Sequence, residues 1–349
     1  MYIGLSVGGR QNPRCVAENP MQRRDVLKLA ALSAGELALR RSAAALSLSA
    51  PSPASSTVPI IDAHIHLFDP LRPGGVPWPE KSDAVLYKPA LPARYGSESA
   101  AQGIVGAIAI EASPLASDNQ WLLNVAANHP VIVGVVGDLI PGTPSYLGDL
   151  ERLHGDSLFL GFRYGNLWNR DLAEDLEKPG FVDGLKALAA AGLVFESANP
   201  DPRLIGAILE VAERVTDLRI VIDHLPHATV PTEQAAREEY WANLRVLAGS
   251  PRVFVKLSEI PLRVNGKLVT DQHAYKAQLD AIWDVFGEDH ILFGSDWPNS
   301  DHVATYAQTL GIVRGYMAGK SAGAREKYFW KNSIAAYKWR ARRTDQPTL

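Results

Sequence analysis

The chain has 349 residues, 46% of them apolar, and a formal net charge of −3: enough hydrophobic sequence for one large barrel or two ordinary domains, and no basic excess that would suit a nucleic-acid partner. The charge is uneven, with seven Lys/Arg against three Asp/Glu before Thr57, which leaves 28 against 35, or −7, in the remainder. Cys15 is the single cysteine, so the chain beyond it has no disulfide, no thiolate nucleophile and no cysteine-ligated zinc.

From Met21 the chain reads Met-Gln-Arg23-Arg24-Asp-Val-Leu-Lys28, then Leu-Ala-Ala-Leu-Ser-Ala-Gly, then Ala-rich sequence and a Pro/Ser linker at 51–57. This resembles a twin-arginine export signal with a cleavage site among the small residues Ala43 to Ala50, although Glu36, Arg40 and Arg41 interrupt the apolar stretch. The expectation is a periplasmic or secreted protein, with a cytoplasmic protein bearing a disordered tail as the alternative. Residues 1–20 fit neither pattern, which makes Met21 a candidate start. No run of about 18 uncharged apolar residues follows, so no membrane span is expected in the body. The domain division is a signal and linker over 1–57, a single domain over 58–340 and a C-terminal tail over 341–349.

Beyond Val58, short β-rich runs alternate with longer helical patterns, as repeated strand-helix units around a parallel sheet require. Strands are predicted at 60–66, 104–111, 131–138, 158–163, 192–197, 218–224, 252–258 and 290–296. In the first, Asp62-Ala-His64-Ile-His66 spaces two imidazoles so that strand alternation turns both to one face. The proline-rich segment 67–92, containing Trp78, is predicted to be an ordered loop over the mouth. Between strands lie amphipathic stretches such as 201–217, with Leu204, Ile208, Leu209, Val211 and Val215 at near-helical spacing, started by Asp201-Pro202, and 271–287, stopped by Gly287. Eight units in about 290 residues match a (β/α)₈ TIM barrel, whose active sites lie at the C-terminal strand ends. The polar residues obey that rule: His64 and His66, Glu111, Asp138, Arg163, Glu196, His224, Lys256 with Ser258, and Asp296 fall at or near those ends.

His64, His66, His224 and Asp296 are the residue types of a mononuclear hydrolytic site, neutral imidazoles being common metal ligands and a carboxylate able to take a proton from water. The stretches IDAHIHLFDP (61–70), LGFRYG (160–165), IVIDHLPH (220–227), VFVKLS (253–258) and ILFGSDWPN (291–299) resemble, in that order, the amidohydrolase superfamily over about Pro59 to Lys338. Within it the chain is most similar to the branch of sugar lactonases and a 2-pyrone-4,6-dicarboxylate lactonase; a neighbouring branch holds non-oxidative decarboxylases. The resemblance implies that Asp296 is the general base and that His64, His66, His224 and Asp296 surround the site of one divalent metal, zinc being the expected ion. A metal-free mechanism stays open, since some lactonases of this branch are thought to work without one. Members with two metals carry a carboxylated lysine on the fourth strand, where this chain has Arg163, and the fifth strand ends at Glu196 rather than a histidine; a bridged pair of metals is therefore not expected.

Several residues have two readings. Glu111 is an additional metal ligand or an ion-pair partner. Arg163 and Lys256 grip a substrate carboxylate or lactone oxygen, or form buried salt bridges with Glu196 or Asp138. Trp297 stacks on a sugar ring or plugs the space beneath the mouth, and His227 touches substrate or stands in solvent. Asp62, two residues before His64, is expected to share the imidazoles' face and orient one of them. The five remaining histidines, His129, His154, His273, His290 and His302, read as surface residues.

Three functions follow from these patterns: a hydrolase opening a lactone or related cyclic ester, a metal-dependent decarboxylase in which Asp296 protonates the ring carbon, and a secreted barrel that binds carbohydrate without catalysis. All three take a small molecule as partner. Fold alone does not choose among them.

Overall fold

A computed structural model describes residues 58–198 and 200–349. The arginine pair, the cleavage region and the linker lie outside the described residues. All eight predicted barrel strands are present: β1 (Ile60–His66), β2 (Ile104–Ile110), β3 (Ile132–Gly137), β4 (Phe159–Gly165), β5 (Val194–Ala198), β6 (Arg219–Ile222), β7 (Val253–Leu257) and, after a small hairpin of β8 (Arg263–Val264) and β9 (Lys267–Leu268), β10 (Ile291–Phe293). The parallel sheet runs β1-β2-β3-β4-β5-β6-β7-β10. It closes where Asp296 N donates to His64 O at 2.9 Å and His66 N donates to Trp297 O at 2.7 Å. The ring is therefore sealed by the backbone of the residues that form the site.

Local chemistry accounts for the helices between strands. Asp201 accepts from Leu204 N at 2.9 Å and Pro202 opens the helix Pro202–Arg214, which buries Leu204, Ile208 and Val211 against the barrel. Gly287, at φ 67°, ends the helix His273–Phe286, a left-handed position glycine takes without a Cβ penalty.

Two strands end two or three residues earlier than predicted. β6 stops at Ile222 and β10 at Phe293, because His224 and Asp296 adopt left-handed backbones with φ of 47° and 58°, which a ladder does not accommodate. One apolar cluster packs helices on the outside of the barrel, with Phe162, Phe195 and Ile220 among its strand residues. A second fills the interior with Ile61, Val133, Leu160, Val194, Val221, Phe254 and Leu292, joined by Trp330, Tyr337 and Trp339 from the C-terminal segment. These interior residues sit early in their strands, so the C-terminal segment plugs the end opposite the mouth. The predicted tail belongs to that plug: Gln346 Nε2 donates to Val105 O at 3.0 Å and Pro130 O at 2.9 Å, and Arg342 to Ala126 O and Ile132 O at 2.6 and 2.7 Å.

Candidate active site

At the C-terminal end of the barrel, a cavity of about 230 Å³ is lined by His66, Trp78, Ala112, Arg163, Leu167, Trp168, His224, Glu259, Asp296 and Asn299. His64 lies just beneath. Its Nε2 is 3.1 Å from His66 Nε2. Asp296 Oδ1 stands 3.6 Å from His64 Nε2, 3.3 Å from His66 Nε2 and 3.8 Å from His224 Nε2. That oxygen is buried and has no hydrogen-bond partner among the described residues, whereas Oδ2 accepts from Asn299 Nδ2 at 2.7 Å.

Hydrogen bonds orient each ring. His66 Nδ1 donates to Ile110 O at 3.2 Å, which leaves its Nε2 lone pair to accept from His64 Nε2, the tautomer set by Lys256 Nζ donating to His64 Nδ1 at 2.9 Å. Ser258 Oγ is 2.8 Å from His224 Nδ1. Burial, then the charge of Lys256 and the neighbouring His66, push His64 well below the ordinary imidazole range. Burial and then His64 act the same way on His224, against Asp296. Both rings are neutral near pH 7 and offer lone pairs. Burial would raise Asp296, but His224, His66 and the Asn299 amide outweigh it and hold the carboxyl below its usual range.

Whether these residues suit a metal is decided by spacing. Zinc–ligand bonds of about 2.0–2.2 Å place tetrahedral donors roughly 3.3–3.6 Å apart, close to the separations around Asp296 Oδ1. His64, His66 and Asp296 converge on one point, and His224, Asp296 and Glu259 on an adjacent one. The donor set and the unpartnered buried oxygen fit one divalent ion. Lys256 Nζ stands 2.9 Å from His64 Nδ1; holding an ion at Nε2 shifts the ring proton to Nδ1, where Asp223 Oδ1 at 3.5 Å and Glu196 Oε1 at 3.7 Å are the available acceptors.

Five expectations about individual residues need correction. Lys256 is 0% exposed and does not reach the cavity, since its Nζ is held by Glu196 Oε1 at 2.7 Å and Asp223 Oδ1 at 3.0 Å. Trp297 is likewise 0% exposed; it packs on Tyr95 and donates Nε1 to Glu98 at 3.0 Å, beneath the mouth rather than in it. The His227 side chain is 63% exposed and outside the cavity, because the turn Leu225–His227 carries it over the rim. Glu111 belongs to none of the converging donor groups; it pairs with Arg163 at 2.8 Å and accepts from Trp168 Nε1 at 3.2 Å. Asp62 does not touch an imidazole nitrogen. Its Oδ2 accepts from Tyr95 and Tyr306 hydroxyls at 3.1 and 2.9 Å and its Oδ1 from Ser295 N at 2.8 Å, because the register of β1 against β2 slips between Asp62 and Ile65.

Arg163 does line the cavity, with its charge balanced by Glu111 and, at 3.6 Å, by Asp223. Asp138, the other anticipated partner, instead holds Arg170 through both oxygens. Sequence reasoning missed Asp223, Glu259, Asn299 and Trp168. Asn299 and Asp223 lie within quoted motifs, next to or near Asp296 and His224, but Glu259 and Trp168 carry no motif signal.

Comparison with known proteins agrees with this architecture. The amidohydrolase family model matches residues 61–339. An L-fucono-1,5-lactonase of Burkholderia ambifaria is 30% identical over 69% of this chain and 80% of its own length, and one of Burkholderia multivorans is 27% identical over 79% and 94%. An amidohydrolase from Burkholderia multivorans, solved with bound zinc, superposes with a TM-score of 0.70 at 25% identity, over 81% of this chain and 100% of its own. Barrel, site and family model together establish that the chain belongs to the amidohydrolase family of hydrolases.

Proposed function

We propose that the protein hydrolyses a neutral sugar lactone, with Asp296 as the general base. The observation that carries this reading is the buried, unpartnered Asp296 Oδ1 on the wall of a cavity whose cations are already balanced. Five carboxyl groups, Glu111, Glu196, Asp223, Glu259 and Asp296, surround the site against two cations, Arg163 and Lys256, and both cations are paired. A substrate carboxylate would meet no surplus positive charge. This favours a neutral lactone over a pyrone dicarboxylate and over an aromatic acid awaiting decarboxylation. The L-fucono-1,5-lactonases among the relatives act on a substrate of that neutral kind, and Trp78 and Trp168 on the cavity wall offer apolar surfaces to a sugar ring.

The chemistry follows from the hydrogen-bond assignments. The attacking water hydrogen-bonds to Asp296 Oδ1, which stands 3.3 Å from a His66 Nε2 already engaged by His64. Ser258 donates its hydroxyl hydrogen to His224 Nδ1, which puts the ring proton on Nε2, facing the cavity as a donor to the lactone carbonyl oxygen. Asp296 takes one proton as the water oxygen bonds to the carbonyl carbon. It returns that proton to the ring oxygen as the acyl C–O bond breaks, giving a hydroxy acid. A divalent ion held by His64, His66, His224 and Asp296 would replace this arrangement, with the His224 proton on Nδ1 toward Ser258 Oγ, and would supply Lewis-acid polarisation of the carbonyl in place of the His224 N–H; we propose zinc, from the nitrogen and oxygen donors and the zinc in the Burkholderia multivorans structure. We also propose that residues 21–57 direct the chain to export by the twin-arginine route.

The test is a panel of purified protein against L-fucono-1,5-lactone and other aldonolactones, 2-pyrone-4,6-dicarboxylate and hydroxybenzoates. Acid release should appear with the sugar lactones. Carbon dioxide release as the sole activity would replace the hydrolase reading.

A further inference from the structure

Seven non-glycine residues among those described hold a left-handed backbone: Trp168, Asn169, His224, Glu259, Asn265, Asp296 and Lys338. Four of them, Trp168, His224, Glu259 and Asp296, line the one cavity. Such backbone costs energy in a side-chain-bearing residue and collects where a side chain must be aimed. Three of the four are accounted for above: Asp296 and His224 in the chemistry, Trp168 as a wall. Glu259 is not.

Glu259 follows Ser258, the partner of His224, and its φ of 56° turns the carboxyl back over the cavity. Its Oε2 lies 4.0 Å from His224 Nδ1 and 3.9 Å from His227 Nδ1, beyond direct hydrogen bonding. Its Oε1 receives only a long contact, 3.4 Å, from the Asn299 amide that also binds Asp296 at 2.7 Å. Among the described residues, Glu259 therefore has no cationic partner at salt-bridge distance other than these histidines, and Asn299 stands between it and the general base. Burial and then the neighbouring Asp296 and Asp223 push its carboxyl up to about 8, against Arg163. In either protonation state it offers an acceptor oxygen at the rim.

On the lactonase reading, we propose that Glu259 is a specificity-determining residue that accepts a hydrogen bond from a substrate hydroxyl and so selects polyhydroxylated lactones over lactones that lack the hydroxyl. Water-exposed acceptors gain little from such a bond, but a partly buried carboxyl gains more, because an analogue lacking the hydroxyl leaves it unpaired.

The experiment compares wild type, Glu259→Gly and Glu259→Asn on two lactones: a sugar 1,5-lactone and the unsubstituted δ-valerolactone. Glycine takes the left-handed backbone and removes the acceptor; asparagine tolerates that backbone too and draws its amide oxygen back by one methylene, so it serves if the glycine variant folds poorly. The ratio of kcat/KM for sugar lactone over δ-valerolactone should fall by about 10- to 100-fold in the variants, chiefly through KM. Zinc bound per chain, measured by elemental analysis after dialysis against the ion, should match wild type. An unchanged ratio, an equal fall on both neutral lactones, or loss of zinc with the substitution would each overturn the assignment while leaving lactone hydrolysis standing. A wild-type protein that opens no lactone would overturn the lactonase reading and this proposal together.

Discussion

At the scale of single residues, Asp296 and Lys256 make opposite demands on their surroundings. Asp296 works through an oxygen left without a partner, so Asp296→Asn, which keeps shape and most hydrogen bonding but takes no proton, should lower kcat by roughly two or more orders of magnitude with little change in KM. Steady-state kinetics on the lactone found by the panel checks this, and near-normal turnover would move the base elsewhere. Lys256 instead works by being fully paired, with Glu196 at 2.7 Å and Asp223 at 3.0 Å and no exposure. Lys256→Met should cost about 3–5 kcal/mol, since it strands two carboxylates in the barrel interior. Adding Glu196→Gln should recover part of that loss, and urea midpoints of the two variants measure it. A loss below about 1 kcal/mol would show that the network relaxes. Glu111 and Lys256 were legible as polar strand residues, but a sequence does not say whether a buried charge faces a ligand or another side chain.

Among the elements, the strand ends carry most of the departures from pattern. Strict alternation would turn Asp223 and His224 to opposite sides, yet β6 ends at Ile222 and the left-handed His224 lets both reach the interior. The first strand departs in a similar way at its register slip, which separates Asp62 from the imidazoles it was expected to orient. Glycine spacing matters where strands meet closely. A Cβ on Gly161, at φ 154°, would stand 2.0 Å from Val194 O, its cross-strand neighbour. Gly161→Ala should therefore cost roughly 3 kcal/mol or more and weaken the β4–β5 pairing. Gly311, exposed within the helix Tyr306–Ala318, has nothing within 4 Å of its Cβ position. Gly311→Ala should add about 0.5–1 kcal/mol. Thermal melts of both variants, moving in opposite directions, check the pair.

For the whole molecule, metal content and export are the measurable consequences. Because Arg163 occupies the fourth-strand position and is bound to Glu111, no carboxylated lysine bridges two ions, and elemental analysis should find at most about one equivalent of a transition metal per chain. Two tightly held equivalents would contradict this. If residues 21–57 act as a twin-arginine signal, replacing Arg23 and Arg24 by lysine should retain the precursor in the cytoplasm, as fractionation and immunoblotting would show; an unchanged periplasmic yield would remove the signal.

Local pattern in the chain sets the barrel, because eight short apolar runs, buried on both faces and separated by amphipathic helices, have few other ways to bury their surface. It also determined the core of the site, since His64, His66, His224 and Asp296 sit at strand ends that a closed barrel must bring to one mouth. Tertiary structure alone decided which charges are spent and which are free. Arg163 and Lys256 look alike in sequence, yet one lines the cavity and the other is locked beneath it. Trp297 and Trp168 look alike as well, and only Trp168 faces the cavity. Glu259 reaches the site from a loop, through a left-handed backbone that no local pattern announces. The reason is physical: alternation and capping are set within a few residues of chain, whereas the pairing of buried charges and the aim of loop residues depend on neighbours tens to hundreds of positions away.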